Sequence, residues 1–203
     1  MKIKFFALIT MFSVFLSCAA TSPAKKPALP GKNQKSMDYK DSALAYFPLS
    51  VGNSWTYSVN YLGESGKMKV VIEKEENGWF VDNRGHRMKA DKRGIRDKDR
   101  YLLRFPLHNQ RWVSILSPSQ KEVSTVTEID KSVTVPAGNF PDTVVTMTEI
   151  EVEKGKTLYF FRYFAAQVGI IKIVSMLEDT KSSEKKIQTV TELEKYEIKG
   201  QKN

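Results

Sequence analysis

The chain of 203 residues has one cysteine, Cys18, and two histidines, His86 and His108. A single cysteine excludes a disulfide within the chain, so stability has to come from the core. Neither histidine has a cysteine or a paired carboxylate at ligand spacing, which argues against a protein metal site. Two isolated histidines also give no Ser–His–Asp arrangement, and "GNSWT" (52–56) lacks the second glycine of a nucleophile elbow. There is no P-loop and no G-x-G-x-x-G. "DKRGIRDKD" (91–99) offers three carboxylates, but they alternate with cations and read as a solvated charged hairpin. The sequence therefore points to no catalytic group and no cofactor. Beyond residues 5–16 no apolar run approaches the roughly 18 residues of a membrane helix. No strong helix of ten or more residues is expected either.

What is there begins with "MKIKFFALITMFSVFLSCAA". Lys2 and Lys4 give a positive start, and residues 5–16 are apolar apart from Thr10 and Ser13. Twelve helical residues rise only about 18 Å against a hydrocarbon core of roughly 30 Å. That length suits the apolar region of a secretory signal rather than a span. The run ends in Leu16-Ser17-Cys18-Ala19, which resembles the lipobox of bacterial lipoproteins, although Phe15 stands where an aliphatic residue is usual. The resemblance implies cleavage after residue 17 and lipidation of Cys18. Acylation would also remove an otherwise exposed lone thiol. Two or more chains on one N-terminus hold a protein firmly to a bilayer. Ala19 after the cysteine resembles the choice that sorts Gram-negative lipoproteins to the outer membrane, facing the periplasm.

The reading thus divides the chain into a lipoprotein signal peptide (1–17), a lipidated Cys18 with a tether (18–42) and one β-rich domain (43–199). Residues 19–40 are rich in Pro, Lys, Ser and Ala and carry too few large apolar side chains to offset ordering entropy. About 155 residues remain, enough to bury roughly 68–70% of their surface in one domain. The net charge of +9 suits weak attraction to anionic surfaces. An export signal leaves nucleic acid without a part.

Strands dominate the domain. "SWTYSVNY" (54–61) alternates throughout, with Trp55, Tyr57, Val59 and Tyr61 on one face. "GESG" (63–66) is expected to turn the chain into a partner strand, "KMKVVIEKE". Short strands follow at 79–81, 87–91 and 94–99, then "RYLLRFPL" and "RWVSIL", with "DKRG" (91–94) as a hairpin turn. Pro106 confines its strand to an edge or an end. Longer strands are expected at about 121–129, 143–152, 156–164, 168–177 and 186–198, with a further piece at 131–135. The segment 187–198 also shows a three-residue recurrence, but its Thr and β-branched content favours a strand. One helical turn is expected near "DSALAYF", ended by Pro48. About ten antiparallel strands joined by tight turns give an all-β fold: a strongly curved sheet, half-barrel or small barrel.

Three stretches, "YFPLSVGNSWTY" (46–57), "VPAGNF" (135–140) and "YFAAQVGIIK" (163–172), together resemble a poorly characterised set of bacterial lipoproteins over roughly residues 44–198. Their β-rich organisation is similar to that of the lipoprotein-localisation factors LolA and LolB, whose curved sheet holds acyl chains in an apolar concavity. That similarity is at the level of fold. Each stretch also has an architectural reading: Gly52-Asn53 as a turn, Trp55 and Tyr57 as core aromatics, Pro136 and Gly138 as a type I turn with Phe140 beneath it. Gly169 marks a bulge or a close backbone approach.

The expected function is a lipid-anchored, non-enzymatic envelope protein whose sheet binds an apolar ligand or lipid, with Trp55, Tyr57, Phe160, Phe164 and Ile171 as candidate lining. The alternative is an assembly module that recruits another envelope protein through a sheet edge or a basic hairpin. In that hairpin Arg87 and Lys89 share one strand face and Arg96, Lys98 and Arg100 the next. Arg87, Lys89, Arg96 and Lys98 would form a ridge for an anionic surface.

Overall fold

The computed structural model describes residues 42–108 and 110–199. Residues 1–41, and with them Cys18, the signal and most of the tether, lie outside the described residues.

One helical turn, α1 (Ala43–Tyr46), precedes twelve strands: β1 (Ser54–Tyr61), β2 (Glu64–Glu76), β3 (Trp79–Asp82), β4 (Arg87–Asp91), β5 (Gly94–Asp97), β6 (Tyr101–Arg104), β7 (Arg111–Ser117), β8 (Gln120–Val135), β9 (Gly138–Glu153), β10 (Lys156–Ala165), β11 (Gly169–Asp179) and β12 (Glu184–Glu197). They form one antiparallel sheet in the order β6-β5-β4-β3-β2-β1-β12-β11-β10-β9-β8-β7. The sheet curves until it is nearly closed into a barrel, which agrees with the all-β expectation.

Most of the strands and turns follow the alternation in the sequence. The turn of β1–β2 does not fall at 63–66. It is the two-residue loop Leu62-Gly63, both at positive φ, and Glu64 already pairs with Tyr61. A two-residue loop of that hand matches the twist of its strands. The pieces expected at 121–129 and 131–135 are one strand, β8. Asp130 takes a φ of 57° and the register to β9 slips around it. The chain bulges there instead of breaking.

The two free edges are β6 and β7, which are consecutive in sequence. Side chains close the gap between them. The Trp112 indole N–H of β7 donates to the Tyr101 carbonyl of β6 (3.0 Å). The Arg100 guanidinium bonds the Glu122 carboxylate of β8. Pro106 lies two residues past the end of β6, an edge strand, where its missing N–H costs no ladder bond.

The first and third signature stretches meet at one end of the core. Phe47, just past α1, stacks on Trp55 with ring centroids 5.3 Å apart. The Trp55 indole donates to the Val168 carbonyl (2.7 Å) and the Tyr57 hydroxyl to the Ile170 carbonyl (2.9 Å). Gly169 is required by the ring of Phe47, not by another backbone: a β-carbon there would lie 2.5 Å from Phe47 Cδ2. Buried Asn53 ties the same end together, donating to the Pro48 carbonyl (2.6 Å) and accepting from the Lys199 N–H (2.9 Å). In the second stretch, Pro136-Ala137 forms the two-residue loop between β8 and β9. Phe140 then packs on Tyr196 at 6.4 Å.

Candidate functional site

Successive strand residues point to opposite faces, and the inward face of this sheet changes character along its length. On β1 and the ends of β9–β12 nearest α1 it is apolar: Trp55, Val144, Phe164, Ile171 and Leu193 are fully buried. Further along β8–β10 it becomes polar. Glu122, Ser124, Thr146, Thr148 and Arg162 all point inward and are all buried. A hollow of about 680 Å³ opens where the two regions meet, between β2, β4, the 97–100 bend and β10–β12. Its size is that of a small-molecule pocket. Tyr57, Met68, Val70, Met88, Ile170 and Ile173 supply apolar wall. Arg84, Arg87, Lys98, Arg100 and Arg162 also line it, as do Asp82, Asp97 and Asp99.

Arg162 is 8% exposed. Its Nη1 donates to Thr148 Oγ1 (2.9 Å), and Thr148 Oγ1 is also 2.9 Å from Ser124 Oγ. The guanidinium lies 5.3 Å from the Phe160 ring centroid, a cation–π distance. Burial first, and the neighbouring Arg100 charge second, push the Arg162 pKa down from 12.5 to about 10; Glu122 and Asp97 act in the other direction. Those two acids are engaged by Arg100, which bonds Glu122 through Nη1 and Asp97 through Nε (3.1 Å). Burial also raises the Tyr57 pKa, in keeping with a hydroxyl that serves as a neutral donor to Ile170.

The five expected lining residues divide. Tyr57 lines the hollow. Phe160 is half-buried beside Arg162. Trp55, Phe164 and Ile171 do not line the hollow. They are closed into the packed core, Trp55 beneath Phe47. Met68, Val70, Ile170, Ile173 and Arg162 take their place as wall.

The basic hairpin also divides. Lys89 pairs directly with Arg96 across β4–β5, and both cations lie over the Trp79 ring, at 5.9 and 5.4 Å from its centroid. This face is opposite Met88 and Ala90, which pack on the core. Arg87 bonds Glu76 (2.8 Å) and lines the rim of the hollow together with Lys98. Arg100 leaves the ridge altogether. β5 ends at Asp97, the bend at 98–99 breaks the alternation, and Arg100 turns in to Asp97 and Glu122.

A second hollow, of about 720 Å³, lies along the β7 edge and is lined by Val113, Ile115 and Val152 together with Lys121, Lys154, Glu149, Glu151 and Glu153. Its walls come from exposed side chains, so it lacks the buried polar group found in the first. Among the described residues no group of three or more His, Cys, Asp and Glu is placed to hold a metal ion. No helix of the described residues is long and apolar enough to cross a membrane.

No family model matches the chain, and no curated protein matches it. Two solved structures are similar in part. One is a candidate exported protein with a YmcC-like fold from Bacteroides fragilis NCTC 9343, with 14% identity and a TM-score of 0.41. The similarity covers 75% of this chain and 98% of that one. The other is a candidate lipoprotein from Parabacteroides distasonis ATCC 8503, with 13% identity, a TM-score of 0.40 and the same coverage. A likeness of that extent fixes neither the family nor the activity of this chain.

Proposed function

We propose that the protein is a non-enzymatic, lipid-anchored protein of the bacterial envelope whose curved sheet takes an apolar ligand or lipid into the hollow between β2, β4 and β10–β12. The observation that carries this reading is the apolar wall of Tyr57, Met68, Val70, Met88, Ile170 and Ile173 around a concavity of about 680 Å³. Packed cores leave few voids larger than a water molecule. A hollow of this size, with an apolar wall beside its charged residues, is the feature a ligand would account for. The lipobox-like Leu16-Ser17-Cys18-Ala19 supports the anchor and, with Ala19, an outer-membrane position facing the periplasm. Mass spectrometry of lipids that co-purify with the full chain from its native host tests the ligand. A bound lipid in stoichiometric amount supports the reading, and none above a control membrane protein overturns it. Intact-mass analysis of the same preparation tests the anchor, and an unmodified Cys18 would remove it.

A second reading rests on the β7 edge. Val113 and Ile115 are 56% and 76% exposed on a strand that pairs with β8 on one side only. Exposed edges of this kind add strands from other chains. In this reading the domain recruits another envelope protein there. Photo-crosslinking from position 115 in the native envelope would trap that protein, and a clean monomer band would end the idea.

A further inference from the structure

We infer that the hollow selects an amphiphile with an anionic head, a carboxylate or a phosphate monoester, and that Arg162 binds that head. The inference rests on the reading of the hollow as a ligand site and says what the ligand must carry.

A buried guanidinium is costly unless its charge and its five donors are met. Arg162 meets few of them. Among the described residues its one side-chain hydrogen bond is to the neutral hydroxyl of Thr148. Among the described residues none of its ion-pair contacts falls within 4.0 Å: the nearby acids, Glu122 and Asp97, pair with Arg100 instead. The cation nevertheless lines the hollow, and the adjoining wall is apolar. An anion entering from the hollow would find a planar fork suited to carboxylate or phosphate. It would also find a low-polarity setting in which the attraction is stronger than in water.

The rest of the lining fits an amphiphile better than a small free anion. Met68, Val70, Ile170 and Ile173 offer no polar group to a small anion but suit an alkyl chain. At the rim Arg84 and Lys98 form no ion pair with a carboxylate among the described residues, and Asp82, Asp97 and Asp99 line the hollow beside them, so the entrance carries charges of both signs. Arg100 bonds both Glu122 and Asp97 and so offsets part of their charge, which reduces their repulsion of the head.

The test uses the full chain in uncharged phosphatidylcholine nanodiscs, with empty discs as the blank. The neutral fluorophore N-phenyl-1-naphthylamine reports on occupancy of the apolar wall. Palmitate, hexadecyl phosphate and hexadecanol compete for it, and inorganic phosphate serves as the chain-free anion. The expected result is that palmitate and hexadecyl phosphate displace the fluorophore at concentrations about tenfold or more below hexadecanol. Inorganic phosphate is expected to leave it in place. Arg162→Gln should erase the difference between palmitate and hexadecanol while the fluorophore still binds. Arg162→Lys should restore part of it. Equal competition by palmitate and hexadecanol against the unmodified chain overturns the inference and leaves the ligand site standing, and this comparison needs no variant to fold. Displacement by inorganic phosphate alone also overturns it. Failure of the fluorophore and of every amphiphile to bind overturns the ligand site itself, and the inference with it.

Discussion

Replacing Arg162 with methionine should make the empty domain more stable. The side chain is almost wholly buried, and its pKa falls from 12.5 to about 10, chiefly through burial. At about 1.4 kcal/mol per unit, holding the charged form there costs the fold roughly 3 kcal/mol. The sign follows from linkage. A base whose pKa is depressed in the fold is penalised wherever it stays protonated, so the cost is full below pH 10. It is relieved only as the pH rises from about 10 towards 12.5. Methionine removes that cost at neutral pH. It also removes the hydrogen bond to Thr148 and the contact with Phe160, together about 1–2 kcal/mol. Thr148 is not stranded, because its hydroxyl keeps Ser124 at 2.9 Å. The balance is a gain of roughly 1–2 kcal/mol, consistent with the stabilisation seen when buried ionic groups give way to apolar ones. For a domain of this size that is a rise of about 2–8 °C in Tm. Circular dichroism melts of the ligand-free chain at pH 7 would measure it. A variant less stable than the parent by 1 kcal/mol or more would show that Arg162 is a structural support, and the argument from its uncompensated charge would fail.

Three further outcomes follow from the sheet. Gly94 has a φ of 151°, and a β-carbon there would run into the backbone carbonyl of Leu103 on β6. Gly94→Ala should therefore cost about 3 kcal/mol or more, read by urea unfolding, because neither backbone can yield without breaking the β5–β6 pairing. Trp112→Phe keeps an aromatic ring but removes the pyrrole half of the buried indole and its bond to Tyr101. It should cost about 2–3 kcal/mol, for the lost bond and the lost packing together, and speed amide exchange in β6 selectively; uniform exchange would show that Trp112 does not hold the seam. Gly169→Ala forces the Phe47 ring off Trp55 and strains a φ of 106°. A loss of about 2–3 kcal/mol is expected together with a change in Trp fluorescence, and an unchanged spectrum would contradict the packing.

The strands were legible because their signal is local. Alternation along 54–61 places side chains on two faces whatever the rest of the chain does, and the Thr and β-branched content of 187–198 is a local strand signal as well. The turn at Pro136-Ala137 and the helix ended before Pro48 are local as well. What could not be read is set by partners distant in sequence. Trp55 was legible as an aromatic on the inward face, but only its contacts with Phe47 and Val168 decide that it is sealed in the core and not open to a ligand. Arg100 parts from the basic hairpin for a related reason. Parity holds only inside a strand, and the bend at 98–99 sends Arg100 inward to Glu122, a residue on another hairpin.

Arg162 is the instructive case, because its signal was present in "LYFFRYF". With Tyr159, Phe161 and Tyr163 on one face, the other carries Leu158, Phe160, Arg162 and Phe164. The aromatics on both faces draw the eye, yet the informative residue is the one charge in the inward row. Exposed apolar residues are ordinary on folded proteins, whereas a charge on a buried face is rare unless something meets it. In β8 the same pattern places Glu122 in line with Ser124, and there the structure supplies Arg100 as the answer. For Arg162 no carboxylate among the described residues lies within ion-pair distance; Glu122 and Asp97 attract it from further off, with Thr148 and Phe160 on one side and the hollow on the other. A sheet that needed only a packed interior would gain from an apolar residue at that position. The incompletely compensated cation beside an apolar wall therefore makes sense as a cost carried in the empty state for a partner that arrives with the opposite charge.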